Sequence, residues 1–356
     1  MRSQIANPRG DPAIAKTEPD TGPRILLAHG GGGELTRQLV DERIVPKLTN
    51  PLLAPLTDSA VLDLPPGRVC LTTDAYVVQP VEFPGGDIGR LAVCGTVNDL
   101  AVMGARPLAL SLALVLEEGL PLALLDRVLD SIAAAAAEAG VVVATGDTKV
   151  VERRGGDGLT ITTAGVGVLP DGVRLGMELV RPGDVILITG RIAEHGLAVM
   201  SAREGLAFST TIRSDVAPLN SLIEAMLAAG GAGVRFLRDP TRGGLAGVLA
   251  DLVERTGLSL EVDESAVPIS RAALHTAELL GLDPLAVANE GKCVAVAAGE
   301  AAERILAACR AHPLGVHAAV IGRLAARGAP LAELITRAGG RRMIQRPYGE
   351  ELPRIC

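Results

Sequence analysis

Aromatic residues are nearly absent from this chain: two tyrosines, three phenylalanines and no tryptophan occur in 356 residues. Because apolar residues still make up 48% of the sequence, the core must be built mainly from alanine, valine and leucine. The length is enough for two domains of ordinary size. Positive charge is in deficit, and the net charge of −7 argues against nucleic acid or an anionic membrane as the main partner.

The sequence also lacks a long apolar run and a cysteine cluster. No segment reads as a signal peptide or membrane span, and the alanine-rich run that ends at Ala137 is bounded by Asp130 and Glu138. The five cysteines are odd in number and have no metal-ligand spacing, which favours free thiols in a reducing cytoplasm. Four of them lie in apolar stretches and are expected to be buried: Cys70, Cys94, Cys293 and Cys309.

The fifth cysteine, Cys356, is the last residue of the chain. Pro347 and Pro353 discourage a helix in the segment that precedes it. Backbone at a chain end is anchored from one side only, so a terminal thiol can move between sites and carry a group from one to the other. The position alone leaves the alternative of an incidental exposed cysteine open. Since the adjacent terminal carboxylate disfavours a thiolate, a docking pocket would benefit from a cation and a base.

The pattern of apolar runs and turns predicts an organisation in four segments. Strand-like and helix-like runs alternate in each half, with a turn at Arg181–Asp184 between the halves, which favours two α/β or α+β domains. In the first half, helices are predicted over residues 88–103 and 122–139, the second closed by Gly140. The segments are a disordered extension over 1–22, an ATP-binding and dimerisation domain over 23–178, an α/β domain over 179–330 and a tail over 331–356.

Four aspartates are candidates for a cation site. They follow predicted strands or, in one case, lie within a predicted helix: Asp58, Asp74, Asp99 and Asp147. Carboxylates that the fold brings together repel one another unless a cation neutralises them, and hard oxygen ligands suit Mg²⁺, which bridges carboxylates and phosphates. Alternatively, each aspartate caps a turn or a helix, which is easier to accept for one residue than for all four.

Two glycine-bearing loops are candidates for phosphate binding. Gly30–Gly33 lets backbone amides approach a phosphate closely, but it lacks the Gly-Lys-Ser/Thr ending of a P-loop. Asp239–Gly244 precedes a helical run that starts at Leu245, so its amides would lie at a helix N-terminus. A tight structural turn explains these glycines equally well.

Two further residues are candidates for proton transfer. Lys149 follows Asp147 by two positions, directly after the strand predicted over 141–145, so in extended backbone both side chains leave the same face. Glu290 lies in a loop before a predicted strand over 292–298. Each alone could be a surface charge. A functional role for both becomes more plausible if the terminal thiol docks in a pocket that supplies a cation and a base.

Taken together, these motifs resemble the ATP-using aminoimidazole ribonucleotide synthetase superfamily, from Arg24 to the end of the chain. The most specific is the run Asn98–Ala105, which reads Asn-Asp-Leu-Ala-Val-Met-Gly-Ala. The ending Pro353–Cys356, which reads Pro-Arg-Ile-Cys, narrows the resemblance to the HypE family, the carbamoyl dehydratases of nickel–iron hydrogenase maturation.

The resemblance implies an N-terminal α+β domain that binds nucleotide and forms a homodimer, followed by a C-terminal α/β domain. It implies that a HypF-type carbamoyltransferase loads a carbamoyl group onto Cys356. ATP then drives dehydration of the S-carboxamide to an S-cyanide, and the cyanide passes to iron held by a HypC–HypD complex.

The resemblance also assigns roles to the candidate residues. Cys356 is the carrier, and Lys149 and Glu290 handle protons. The residues expected at Mg²⁺–ATP are Gly30, Gly31, Gly32, Asp58, Asp74, Asn98, Asp99, Asp147, Thr148, Asp239, Arg242 and Gly243. Asp58, Asp74, Asp99 and Asp147 are the candidate Mg²⁺ ligands, and the sequence leaves open which of them touches the metal.

Two other functions compete with this one. The first is another synthetase of the superfamily that phosphorylates an amide oxygen, which has no need of a C-terminal thiol. Selenophosphate synthetases use a nucleophile near the N-terminus, and no cysteine precedes Cys70 here. The second is a non-catalytic protein that delivers metal through Cys356, but a single thiol without a neighbouring histidine or cysteine is a poor metal site.

Overall fold

The computed structural model describes residues 22–31, 33–56, 59–153, 158–203, 212–326, 329–347 and 355. The extension predicted over residues 1–22 therefore lies outside the described residues except for Gly22. Three of the candidate site residues also lie outside them: Gly32, Asp58 and the terminal Cys356.

The N-terminal half is built on a four-stranded sheet. The strands of this half are β1 (Arg68–Tyr76), β2 (Glu82–Phe83), β3 (Gly86–Asp87), β4 (Arg106–Glu117), β5 (Val142–Val151) and β6 (Leu159–Leu169). The order in the sheet is β1-β6-β4-β5, with β4 and β5 parallel and the other neighbours antiparallel. The short strands β2 and β3 pair with each other.

Two long helices cover one face of this sheet. The helices of this half are α1 (Glu34–Leu39), α2 (Val45–Leu48), α3 (Ile88–Val102) and α4 (Leu122–Ala139). The carboxylate of Asp87 caps α3 by accepting hydrogen bonds from the amides of Gly89 and Arg90. As predicted, α4 ends at Gly140, whose φ of 69° is the left-handed conformation that glycine adopts without strain.

The opposite face of the four-stranded sheet is open. Along β1, side chains alternate between the helices and solvent, and the outward-facing Val69 and Leu71 are 51% and 78% exposed. The neighbouring Cys70 is only partly buried, so the expectation that it is a core residue was wrong, whereas Cys94, Cys293 and Cys309 are buried as expected. An edge strand with apolar side chains on an uncovered face is a feature that a partner molecule can cover.

The C-terminal half is built on a seven-stranded sheet with the order β13-β12-β9-β11-β7-β10-β8. Its strands are β7 (Val185–Ile188), β8 (Val234–Arg238), β9 (Ser259–Asp263), β10 (Val294–Ala297), β11 (Ala319–Ala325), β12 (Ala332–Ile335) and β13 (Arg341–Met343). Neighbouring strands are antiparallel except β9 and β12, which are parallel.

Helices α6, α7 and α9 cover the two faces of the second sheet. The helices of this half are α5 (Glu194–Arg203), α6 (Asn220–Gly230), α7 (Gly244–Thr256), α8 (Arg271–Leu280) and α9 (Ala302–Ala311). On β7, Ile186 and Ile188 join the apolar cluster that contains α7, whereas Val185 and Leu187 join the cluster of α6 and α9. Burial on both faces explains why this strand is a continuous apolar run. None of the helices in the described ranges is long and apolar enough to cross a membrane.

Two elements differ from the sequence-based expectation. The strand predicted over 141–145 does not end at Thr145 but continues as β5, because pairing with β4 resumes after a register shift and extends to Val151. Gly146 fits there because a Cβ would approach the carbonyl oxygen of Leu112 to 2.5 Å. The segment predicted as a tail from residue 331 contains β12 and β13, so the chain leaves the sheet only after Met343.

Candidate active site

A cleft of about 590 Å³ lies where the two halves of the chain meet. One wall comes from β1 and α3 of the N-terminal half, and the other from the β8–α7 loop, α7 and the loop before β10. Candidate residues from both halves line it: Asp74, Asp99, Asp239, Arg242, Gly243 and Glu290. The fold therefore brings together six residues that were predicted from the sequence as site residues. The first and last of them, Asp74 and Glu290, are more than two hundred positions apart in the chain.

Asp74 and Asp99 form the acidic wall of the N-terminal half. The hydroxyl of Thr96 donates a hydrogen bond to Asp74 at 3.1 Å, and the hydroxyl of Thr72 donates one to Asp99 at 2.9 Å. Burial and then the negative charge of Asp74 raise the pKa of Asp99. A cation between these carboxylates would relieve the repulsion that raises this pKa.

Glu290 is the most deeply buried acid of the cleft, and the partly buried Asp239 is a second acid with a strongly raised pKa. Burial and the nearby Asp99 raise the pKa of Asp239 to about 7. Glu290 is 1% exposed, and its Oε1 has no hydrogen-bond partner among the described residues. Burial first, then the charge of Asp239, raises the pKa of Glu290 well above its usual range. Both groups therefore favour the proton-bearing form unless positive charge arrives.

The backbone of Glu290 is fixed by residues below the cleft. The buried amide of Asn98 donates hydrogen bonds to the carbonyl oxygens of Glu290 and Ala217, at 3.0 and 3.1 Å. Its carbonyl oxygen accepts the amide of Leu219 at 2.7 Å. Asn98 was expected at the nucleotide, but it does not line the cleft, because its side chain is used to join α3 to the C-terminal half.

The loop before α7 needs glycine for its geometry. Gly243 and Gly244 have φ values of 67° and 59°, and a Cβ on Gly244 would come within 2.6 Å of the carbonyl oxygens of Leu285 and Val287. The tight turn is therefore a structural requirement. The helix begins at Gly244, one residue before the predicted start at Leu245, and the same turn places Arg242 and the N-terminal end of α7 at the cleft.

A second group of candidate residues lies elsewhere, on and beside β5. Asp147 and Lys149 are exposed and share a face of the strand, as the spacing predicted. Gly30 packs against β5 so closely that a Cβ would be 2.7 Å from the amide nitrogen of Val150. Thr148 and Gly31 belong to the same edge of the sheet.

One chain does not bring these two groups together. The strands β1 and β5 are the opposite edges of the four-stranded sheet. They are separated by three inter-strand spacings of about 4.8 Å each, or roughly 14 Å. Asp147, Thr148 and Lys149 accordingly do not line the cleft that contains Asp74 and Glu290.

The carboxylates fit Mg²⁺ better than a metal that needs a complete protein cage. Within the described ranges, no group of three or more histidine, cysteine, aspartate or glutamate side chains could by itself hold a metal ion. Mg²⁺ usually takes only one or two protein carboxylates and completes its shell with phosphate oxygens and water. Asp74 and Asp99, which repel each other in a cleft that also contains Arg238 and Arg242, match that requirement.

Several residues of the cleft were not predicted from the sequence. The hydroxyl of Tyr76 lies 3.3 Å from that of Thr96, and it occupies the space that a Cβ on Gly95 would need. At the rim, Arg346 forms ion pairs with Asp251 and Glu254. No local motif marks these residues, because their positions depend on contacts between distant segments.

Comparison with known protein families agrees with this architecture. The model of the AIR synthase related protein, N-terminal domain, matches residues 56–169, and that of the AIR synthase related protein, C-terminal domain, matches residues 181–332. Together with the cleft between the two halves, these matches define a two-domain protein of the AIR synthase-related class.

Individual relatives narrow the class further. The carbamoyl dehydratase HypE of Rhizobium leguminosarum bv. viciae is 49% identical over 333 residues, covering 94% of this chain and 95% of that protein. The structure of a hydrogenase maturation protein HypE in complex with ATP is 43% identical, with a TM-score of 0.89 and coverage of 93% and 99%. A HypE–HypF complex contains a chain that is 43% identical, with a TM-score of 0.76 and coverage of 87% and 99%. The chain belongs to the HypE family of carbamoyl dehydratases.

Proposed function

We propose that this chain uses ATP to dehydrate an S-carboxamide on Cys356 to an S-cyanide, which then supplies the cyanide ligand of iron in a nickel–iron hydrogenase. The observation that carries the proposal is the state of Glu290. Its carboxyl group is buried in the cleft, Oε1 has no hydrogen-bond partner among the described residues, and burial followed by the neighbouring acids raises its pKa. A family whose members are carbamoyl dehydratases needs a base of this kind.

The chemistry of dehydration explains why a base is required. Loss of oxygen from a carboxamide is difficult because oxide and hydroxide are poor leaving groups. Bound ATP supplies a γ-phosphoryl group that converts this oxygen into phosphate, which leaves readily. The amide nitrogen must also lose protons, so a base has to lie within hydrogen-bond reach. The unpartnered oxygen of Glu290 is available to accept such a proton.

The pKa of Glu290 should depend on whether positive charge is bound in the cleft. Without positive charge, burial and the acids Asp239, Asp74 and Asp99 favour its protonated form. Positive charge near those acids would lower the pKa of Glu290 and release the base. Glu290 would therefore be ionised, and able to accept a proton, only when positive charge is bound in the cleft.

We assign Mg²⁺–ATP to the cleft and its surroundings. Asp74 and Asp99 are the described carboxylates that would hold Mg²⁺, with Asp239 behind them, and Arg242 and the N-terminal end of α7 would neutralise phosphate charge. The relative crystallised with ATP supports the nucleotide. Asp58 and Gly32 keep their predicted roles, although they lie outside the described residues.

We further propose that a homodimer completes the site. Lys149 lies at the edge of the sheet opposite β1, roughly 14 Å away by strand spacing, so a lysine of one chain cannot serve the cleft of the same chain. The open sheet face with the exposed Val69 and Leu71 offers a surface for the second copy. The dimer would bring Gly30, Asp147, Thr148 and Lys149 of one copy to the cleft of the other.

The tail connects this site to partner proteins. Cys356 lies outside the described residues, but Ile355, to which it is bonded, is buried in an apolar cluster that combines the core of the N-terminal half with α5 and α8. We propose that a HypF-type carbamoyltransferase loads Cys356, which the complex of a relative with HypF supports. A HypC–HypD complex would then accept the cyanide for its iron.

Intact mass spectrometry tests the proposed reaction. After incubation with carbamoyl phosphate, ATP, Mg²⁺ and the carbamoyltransferase, the chain should gain about 25 Da, the mass of a cyanide that replaces a thiol hydrogen. The Cys356→Ala variant should gain nothing. The Glu290→Gln variant should stop at the carbamoyl form, a gain of about 43 Da, because its amide cannot accept the proton.

A matched control for the Glu290 variant is Glu303→Gln, which changes an exposed glutamate on α9 away from the cleft and should behave as the unchanged chain. A gain of cyanide in the Cys356→Ala variant would contradict the carrier role. Full conversion by the Glu290→Gln variant would remove Glu290 as the base.

A further inference from the structure

The penultimate residue of the chain is docked in the protein. Ile355 is 5% exposed, and its side chain belongs to the same apolar cluster as Phe83, Ile212 and Val216. Its carbonyl oxygen lies 2.7 Å from Nε2 of His195, at the first turn of α5. This carbonyl is half of the peptide bond that joins Ile355 to Cys356, so the hydrogen bond holds the last peptide unit of the chain.

A chain of hydrogen bonds fixes the orientation and tautomer of His195. The amide of Val216 donates to Oγ of Ser214 at 3.1 Å, which leaves the Ser214 hydroxyl proton free to donate to Nδ1 of His195 at 2.8 Å. Nε2 must then carry the hydrogen that it donates to the carbonyl of Ile355. Phe83 packs edge-on against the imidazole, with ring centroids 5.4 Å apart. The histidine is thus held ready as a donor.

The same segment supports Glu290. Asp215, the neighbour of Ser214, accepts the backbone amide of Glu290 at 3.1 Å and forms a buried ion pair with Lys292 at 3.3 Å. Gly291 lies so close to this segment that a Cβ would overlap the carbonyl oxygen of Asp215. Residues 214–216 therefore hold the donor of the tail on one side and the proposed base on the other.

The tail has a second attachment before it reaches Ile355. Pro347 lines the cleft beside Gly243, and Arg346 pairs with Asp251 and Glu254 on α7. Described residues on both sides of positions 348–354 thus contact the folded protein. At Ile355, release of the chain end requires that the His195 hydrogen bond is broken and that the side chain of Ile355 is withdrawn.

We propose that His195 is a positioning residue that holds the last peptide bond of the tail and thereby fixes the carrier cysteine relative to Glu290. The inference deepens the proposed function and rests on it for its consequence in catalysis. The hydrogen bond itself can be tested without that function, because docking of the tail also controls the access of reagents to the Cys356 thiol.

Two variants of His195 distinguish the effect of losing the hydrogen-bond donor from the effect of changing the size of the side chain. His195→Asn retains a polar group near the Nδ1 position but has no donor at the position of Nε2. His195→Gln can place an amide nitrogen there. We expect iodoacetamide to modify Cys356 about fivefold faster in the asparagine variant, the factor for one neutral hydrogen bond of about 1 kcal/mol. The glutamine variant should react at nearly the rate of the unchanged chain.

The C-terminal peptide is analysed by mass, so that Cys356 is read separately from the half-buried Cys70. If His195→Asn fails to fold, Ile355→Ala provides a variant at the tail itself, which should also speed the modification of Cys356. In the double variant, the acceleration should be smaller than the product of the two single effects, because both changes release the same tail. Equal rates in all variants would overturn the inference.

The catalytic consequence has its own readout. After carbamoyl loading, His195→Asn should convert carboxamide to cyanide about fivefold more slowly in a single turnover, as the loss of one hydrogen bond predicts. Its affinity for ATP and its rate of loading should not fall, which a general loss of structure would not allow. A chain that makes no cyanide in any form but still shows faster thiol modification in His195→Asn would refute the proposed function and leave the tail contact standing.

Discussion

The acids of the cleft define the chemistry at the scale of single residues. Asp74, Asp99, Asp239 and Glu290 come from four separate segments. Each of the three aspartates raises the pKa of at least one other member of the group, and all three raise the pKa of Glu290. Carboxyl groups that lie close together without a neutralising positive charge reduce the stability of the fold. Binding sites commonly contain such groups, because the same arrangement gives affinity for a cation. The group is thus best understood as a site that binding of positive charge completes.

Asp239 makes this cost measurable. Its pKa of about 7 in the folded chain lies above the ordinary aspartate value of 3.8. Between these two values the folded chain keeps a proton that the unfolded chain has lost, so stability decreases as the pH rises through this window. Replacement by neutral asparagine should therefore raise the melting temperature at about pH 8, and this gain should shrink as the pH falls through the window and largely disappear only at about pH 4.

Differential scanning calorimetry without nucleotide or Mg²⁺ checks this prediction for Asp239→Asn. The matched control is Asp263→Asn, because hydrogen bonds from Ser265 lower the pKa of that exposed aspartate, so its replacement should give no gain at high pH. An equal gain for Asp239→Asn at both pH values would show that the buried charge is not the source of the instability.

The acids of the cleft could be predicted from the sequence, but the residues that position the proposed base and the tail could not. Asp74, Asp99 and Asp239 stand beside recognisable glycine and threonine motifs, and the family resemblance covers those motifs. His195 and Asp215 have no such signal, since their roles depend on contacts with residues 355 and 290. Asn98 has a signal but a different role, because burial turned its amide toward backbone carbonyl groups.

At the scale of elements, most helices and strands follow from local pattern, and β5 shows where that pattern ends. Gly146 and Asp147 are residues with low strand propensity, and the predicted strand ends at Thr145. Pairing with β4 carries the strand on to Val151 in spite of this. The consequence matters for the site, because a strand fixes Asp147 and Lys149 on one face more rigidly than a loop would.

The turn before α7 is the element on which the cleft depends most. Gly244→Ala should destabilise the fold by about 2 kcal/mol or more, because the left-handed backbone is strained and the new Cβ meets two carbonyl oxygens. Gly257→Ala, at the other end of the same helix, also has a left-handed backbone but no atom within 4 Å of the new Cβ. It should cost only about 1 kcal/mol.

Denaturant unfolding of the two glycine variants measures this difference. The affinity for Mg²⁺–ATP should fall only in Gly244→Ala, since its turn positions Arg242 and Gly243 at the cleft. If Gly257→Ala lost as much stability as Gly244→Ala, the close contact with Leu285 and Val287 would not be what requires glycine.

At the scale of the whole molecule, the candidate residues form two groups that one chain keeps apart. The cleft contains Glu290 and the acids, whereas Lys149 lies on the opposite edge of the four-stranded sheet. The sequence could not show this separation, because sheet order is set by long-range pairing. In the proposed homodimer, two copies of the chain would each supply one group to a complete site.

Mixing two inactive variants is the most direct test of this arrangement. Lys149→Ala and Glu290→Gln homodimers should each form no cyanide. A dimer that contains one chain of each variant has one site with both residues intact and one site with neither. Random exchange of subunits should therefore restore about a quarter of the unchanged activity, because about half of the dimers are mixed and each has one working site of two.

The two variants are co-expressed, and the fraction of Cys356 that carries cyanide is measured after a single turnover. Dimers of each single variant are the controls. Recovery to about a quarter of the unchanged yield is the result expected if Lys149 and Glu290 act from different copies. No recovery in mixed dimers that still bind ATP and accept the carbamoyl group would mean that both residues must come from one chain, and the shared site would be wrong.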